Sequence, residues 1–174
     1  MKINEYTRQL EGLVMKIARA AKENKKEYLI GGGLAIDLSL GKISRNHHDI
    51  DFHPMLDDYS WWIKWFKDRG YKVRNRRDHK FPETWWVYNS NEEAIVDMWP
   101  FQLKNGILLI NQEGKYLDAG RHWEETKLIN YKNIDIRIEN PLRVLEQKTR
   151  HVSQGQKYRP VDIHDFKLLG KEPK

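Results

Sequence analysis

Asp49 and Asp51 are the residues of this chain best placed to do chemistry. They lie in the run Asp49-Ile50-Asp51-Phe52, where carboxylate and apolar side chains alternate. Such alternation marks a half-buried strand. On a strand, residues i and i+2 share a face and stand ~6–7 Å apart at the backbone. Two carboxylates so placed can converge on divalent cations. Paired cations ~3.5–4 Å apart clamp both the attacking and the leaving oxygen of phosphoryl or nucleotidyl transfer. A third aspartate, Asp97, interrupts the apolar run Ile95-Val96-Asp97-Met98-Trp99. A charge inside an apolar strand is costly unless something pairs with it, so Asp97 needs a counter-ion or a function.

The elements around these residues decide whether they meet. Tyr28-Leu29-Ile30 reads as a short buried strand, and Gly31-Gly32-Gly33 follows it. Glycines there let the backbone turn sharply and come close to a ligand. Leu34, Ile36, Leu38 and Leu40 then predict a short apolar helix, with Gly41 as its stop. A basic and polar loop leads into Asp49. Ahead of this unit, Tyr6, Leu10, Leu13, Val14, Ile17, Ala18 and Ala21 recur at helical steps and predict a helix over residues 4–26. Beyond it, Asp57 or Asp58 is placed to cap a helix running to about Arg69. Trp61, Trp62, Trp65 and Phe66 share one side of that helix. An amphipathic helix needs an apolar stripe, so they read as core rather than as a stacking platform for bases.

Strands are expected at residues 71–74, 84–88, 94–98, 106–110 and 135–138, with a basic loop at 75–80 that reads as solvated. The segment 111–131 is polar and reads as irregular. Asn140-Pro141 opens a helix to about His151, and a last helix covers residues 160–169. The pattern is that of an α/β (α+β) protein, a mixed sheet with flanking helices. It divides into a core over residues 1–139 and a C-terminal helical extension over 140–174.

The formal net charge of +6 favours anionic partners, nucleotides and nucleic acids among them. A hydrophobic share of 39%, with seven Trp, is enough to build a real core. The chain has no cysteine, which excludes disulfides, thiolate nucleophiles and Cys-based zinc sites. No apolar run approaches a membrane span, and the first residues lack a signal-peptide pattern, so a cytoplasmic location is expected.

Gly31-Gly32-Gly33, taken with Ala35, Asp37, Leu38, Gly41, Arg45, His48, Asp49, Ile50 and Asp51, resembles the signature of nucleotidyltransferases related to DNA polymerase beta. Within them it is most similar to the lincosamide and aminoglycoside nucleotidyltransferases of antibiotic resistance. Val96-Asp97-Met98-Trp99-Pro100 is similar to the strand that carries their third carboxylate. Lys148 and the run from Arg159 to Asp165 also resemble the ending of nucleotidyltransferase-type toxins. The resemblance implies an NTP co-substrate and two Mg²⁺ ions held by Asp49, Asp51 and Asp97. It places Gly32 and Gly33 at the triphosphate, where helix-terminal N–H groups favour anions. Arg45 and Lys42 would neutralise phosphate charge. It implies attack by an acceptor hydroxyl on the α-phosphate, with pyrophosphate leaving. The acceptor would be a small antibiotic, with an RNA or protein hydroxyl as the alternative. The enzyme would be a monomer or a homodimer. Asp97 would complete the metal site or act as base, with Glu83, Glu92 and Glu93 in reserve.

Other readings are weaker. Gly31-x-Gly33 suggests a dinucleotide fingerprint, but position 36 is Ile, not the third glycine. His48-Asp49 and His164-Asp165 suggest a His-Asp phosphohydrolase, yet such sites sit on helices and Asp49 opens a strand-like run. His47, His48 and His53 read as orienting or surface residues rather than zinc ligands, and Asp37 as a local cap or pairing partner. A basic nucleic-acid-binding module without activity would not need the paired carboxylates.

Overall fold

A computed structural model describes residues 2–173. The first helix, α1 (Glu5–Asn24), is capped by the Asn4 side chain, which accepts from the Thr7 N–H. It is followed by β1 (Tyr28–Ile30), α2 (Gly32–Ser39), β2 (Ile50–Pro54) and α3 (Tyr59–Lys67). Then come β3 (Lys72–Asn75), β4 (Trp85–Tyr88), β5 (Ala94–Met98), β6 (Gln102–Lys104), β7 (Ile107–Gln112), β8 (Lys115–His122), β9 (Lys127–Tyr131) and β10 (Ile134–Ile138). Two helices close the chain, α4 (Pro141–Ser153) and α5 (Pro160–Leu168).

Seven strands form one mixed sheet in the order β3-β4-β5-β2-β1-β10-β9, and β6-β7-β8 form a separate antiparallel sheet. β1 runs parallel to β10 and antiparallel to β2, while β2 runs parallel to β5. These directions bring the end of β1, the start of β2 and the middle of β5 together at one end of the central strands. Because side chains alternate along a strand, the two faces have separate partners. Tyr28, Ile30, Ile50, Phe52, Val96 and Met98 join the main core with the apolar sides of α1, α2 and α3. Leu29, between two of them, packs instead with Met55, Phe101 and Leu108 from the second sheet. Asp51 and Asp97 occupy the positions between those core residues, so strand alternation turns them away from the helices.

Trp62 and Phe66 are fully buried and Trp65 nearly so, stacked edge-on against Phe52 and each other. Trp62 and Trp65 are therefore core, as their spacing predicts, while Trp61 is only partly buried against it. The helix they belong to is not capped as expected. Asp58 precedes it but makes no capping hydrogen bond, because its carboxylate is taken by Lys26 at 2.7 Å. The segment 111–131 is not irregular either: it holds the end of β7 and the whole of β8 and β9. Most of β8 is exposed, and its sheet covers the main one with only a few apolar residues. A strand wet on most of its length carries no apolar alternation to read. Among the described residues no helix is long and apolar enough to cross a membrane.

Candidate active site

The glycine turn, β2 and β5 build the site together. Asp51 stands directly opposite Asp97 in the β2–β5 register. Asp49 lies one residue before β2 and is exposed, at the same end of the strands. The Gly31 N–H donates to the Asp51 carbonyl at 2.8 Å, which pins the turn to β2. Gly32 has a φ of +61°, and a Cβ placed on it would lie 1.8 Å from Asp51 Oδ2. Only glycine satisfies both demands here: it adopts the left-handed backbone freely and leaves the carboxylate its place.

The electrostatics fit a missing positive charge. Burial, then Asp49, Asp97 and Glu139 together push the Asp51 carboxyl up to about 7, with Arg121 working against them. Burial also raises Asp97, opposed by hydrogen bonds from Trp99 and Arg76. Carboxylates crowded in this way favour a hard, oxygen-seeking cation such as Mg²⁺. Among the described residues, however, no three acidic or histidine side chains close around one point. Asp97 is engaged elsewhere: Arg76 Nη1 donates to both of its oxygens, at 3.1 and 3.0 Å.

The basic residues expected at the phosphates differ in burial and partners. Arg45 is buried, with Nε donating to Asp165 Oδ1 at 2.8 Å and Nη2 to Asp165 Oδ2 at 3.0 Å. Its Nη1 reaches the Asn46 carbonyl and His47 Nδ1. This fork lies behind the glycine turn, since a Cβ on Gly33 would sit 1.8 Å from Arg45 Nη2. Arg45 thus supports the turn and spends its charge on Asp165. Lys42 is exposed beyond the far end of α2. At ~1.5 Å per residue, the eight residues of that helix put it ~12 Å from the glycines.

Asp37 and His47 belong to the same supporting network. Arg45 can only donate, so His47 Nδ1 accepts and its Nε2–H donates to Asp37 Oδ2 at 2.8 Å. Ser44 gives its backbone N–H and its hydroxyl to the two Asp37 oxygens. Burial alone would raise Asp37, but His47 and Ser44 hold it below its ordinary value. His164 on α5 completes the tie at Ser44 Oγ, 3.1 Å away. His48 is exposed. His53 gives Nδ1–H to the Trp99 carbonyl at 3.1 Å and stacks on Phe101, a structural role.

Two more charged groups border the site without having been expected there. Arg121 Nε donates to Glu139 Oε1 at 2.5 Å, and its Nη2 donates to Gln147. Glu139 Oε2 is buried with no hydrogen-bond partner and would lie 3.1 Å from a Cβ on Gly31. Glu139 immediately follows β10, the parallel neighbour of β1, and that adjacency follows from topology rather than from any local pattern. Of the reserve carboxylates, Glu92 pairs with Lys72 and Arg74 on the surface, Glu93 accepts from the Asn89 side chain and Glu83 from Tyr116.

With this geometry in hand, the comparisons place the chain. A family model described as aminoglycoside-2''-adenylyltransferase matches residues 13–169. Among solved structures, the lincomycin-bound lincosamide antibiotic adenylyltransferase LnuA superposes with a TM-score of 0.72 at 22% identity, over 98% of each chain. ANT(2")-Ia, solved in complex with adenylyl-2"-tobramycin, gives a TM-score of 0.70 at 19% identity, over 93% of this chain and 87% of that one. No curated protein matches in sequence. The structural likenesses carry the nucleotidyltransferase fold, and the family model spans nearly the whole described core, from α1 to the end of α5. The chain belongs to the aminoglycoside-2''-adenylyltransferase family, and with it to the nucleotidyltransferase enzymes.

Proposed function

We propose that this enzyme transfers the AMP group of ATP to a hydroxyl of an antibiotic-like small molecule, releasing pyrophosphate. The observation that carries the proposal is the pairing of Asp51 with Asp97 across parallel strands, with the Gly32 backbone against Asp51. The family's description supports adenylyl rather than another nucleotidyl group.

In this reading Gly32 and Gly33 approach the triphosphate through their backbone, at a helix start with no side-chain cap. Asp49, Asp51 and Asp97 would hold divalent cations, Mg²⁺ foremost. Such ions, when bound, neutralise charge on the α-phosphate and on the leaving pyrophosphate. Asp97 lies on the strand beside Asp51 and takes the proton of the acceptor hydroxyl. Arg45 acts from behind the turn: it fixes the position of Gly33 rather than touching phosphate. The C-terminal helices α4 and α5 act as an extension that braces the turn through Asp165. Attack by the acceptor hydroxyl forms the new P–O bond as the bond to pyrophosphate breaks, and no covalent enzyme intermediate is needed.

The test is incubation with ATP, Mg²⁺ and, separately, lincomycin, tobramycin, RNA and a protein mixture, with mass spectrometry of the products. A small molecule heavier by one AMP supports the reading. AMP found only on RNA or protein would assign the acceptor to those polymers instead.

A further inference from the structure

Two arginines of this chain grip aspartates in different ways, and the difference has a functional meaning. Arg45 holds Asp165 as a fork, one nitrogen to each oxygen, with the arginine side chain 10% exposed and the aspartate fully buried. Arg76 holds Asp97 through the single nitrogen Nη1, which straddles both oxygens, with side chains 22% and 19% exposed. A two-nitrogen fork is the stronger and more directional of the two arrangements. The first pair is built to stay, and the second is open to exchange.

The surroundings of Arg76 store a cation without burying it. Its guanidinium lies 4.9 Å from the ring of Trp86 and 5.1 Å from that of Trp99. Ring faces attract a cation but supply no counter-charge. Trp86 faces Asp97 in the β4–β5 register, so the aromatic slot and the carboxylate are neighbours on one surface. Arg76 follows β3 directly, and its N–H donates to the Thr84 carbonyl at the neck of the 76–84 loop. The guanidinium therefore holds the Asp97 carboxylate from the β4 side of β5, the flank opposite Asp51 on β2, and among the described residues the three carboxylates do not close around one point.

We propose that Arg76 is a resident counter-cation for Asp97, holding the third carboxylate out of the cation site until an incoming divalent ion displaces it. The proposal rests on the reading of Asp49, Asp51 and Asp97 as the cation site. It makes the loop regulatory, because the site stays charge-balanced when empty and assembles only when the ion arrives.

The test is titration of the full chain with Mn²⁺ in the absence of nucleotide, followed by calorimetry and by water-proton relaxation. Arg76→Gln should bind Mn²⁺ at least roughly tenfold tighter than wild type, because the competing charge is gone. Arg77→Gln removes the same charge from an exposed neighbour and should change the affinity less than about twofold, by the screening of exposed charges. Arg76→Lys keeps a cation and should fall between wild type and Arg76→Gln. Adding Asp97→Asn to Arg76→Gln should erase the gain. Circular dichroism of each variant confirms the fold. Mn²⁺ binding by Arg76→Gln no tighter than by Arg77→Gln overturns the proposal. Unaltered Mn²⁺ binding in Asp51→Asn would instead strike at the cation-site reading itself, so the two failures are told apart.

Discussion

Replacing Asp165 with Asn tests how the C-terminal helices are joined to the catalytic core. Asp165 is fully buried and receives Arg45 through two hydrogen bonds and Lys148 Nζ at 3.3 Å. Lys148 also holds Asp162 at 2.5 Å, and Arg159 shares that second carboxylate. Asn keeps the shape of the side chain but removes its charge, leaving Arg45 buried without a counter-ion. Breaking a buried pair from one side costs ~3–5 kcal/mol. The surviving amide oxygen still accepts one bond, so the lower end, ~3 kcal/mol, is expected. For a chain of this size each kcal/mol moves the melting temperature by ~2–4 °C, giving a fall of roughly 6–12 °C. Thermal and urea unfolding of Asp165→Asn tests this directly, and Asp165→Leu, Arg45→Met and the Arg45→Met, Asp165→Leu double variant supply the cycle. The double variant should lose less than the two single losses combined, because no buried charge is left alone. An Asp165→Asn protein within about 0.5 kcal/mol of wild type, inside the usual range for surface substitutions, would refute the reasoning.

Three further predictions follow from single positions. Gly32→Ala should cost ~1–2 kcal/mol of backbone strain and displace Asp51 Oδ2, lowering the rate of AMP transfer about 100-fold. Gly41→Ala, with a φ of +70° but open space around it, should show the strain in a melting curve and keep its activity. Burial, with help from Arg121, lowers the His53 imidazole to about 3, so the folded protein holds it neutral where the unfolded chain protonates it. Its contribution to stability is therefore full above the unfolded value and is lost as pH falls from there toward about 3. In His53→Asn, which keeps a donor for the Trp99 carbonyl, urea midpoints measured across that window should decline less steeply than in wild type.

The parts of this molecule that could be read in advance are those where function and local pattern coincide. The strand, glycine turn, helix and strand from Tyr28 to Pro54 announce themselves through apolar runs and glycines, and the alternation around Asp51 and Asp97 sets both on one face. Trp62 and Trp65 of α3 reveal themselves as core by helical spacing alone. What stayed hidden depends on residues far apart in the chain. Arg45 reads as a phosphate ligand because its partner, Asp165, lies 120 residues away and leaves no trace near it. Arg76 reads as one basic residue in a solvated loop, and only the β4–β5 pairing reveals that the loop returns to Asp97. Glu139 closes a short strand whose parallel neighbour, β1, comes more than a hundred residues earlier. The exposed β8 gives no periodic signal, since little of it is buried.

The central claim is that the carboxylates at the start of β2 drive nucleotidyl transfer. The most direct test is AMP transfer from ATP to the modified acceptor by the Asp49→Asn, Asp51→Asn double variant, followed by mass spectrometry and checked for fold by circular dichroism. Asn preserves side-chain shape and one oxygen while removing the negative charge that holds a cation. A folded double variant should be slower by several orders of magnitude. Transfer at the wild-type rate by that folded protein would contradict the account.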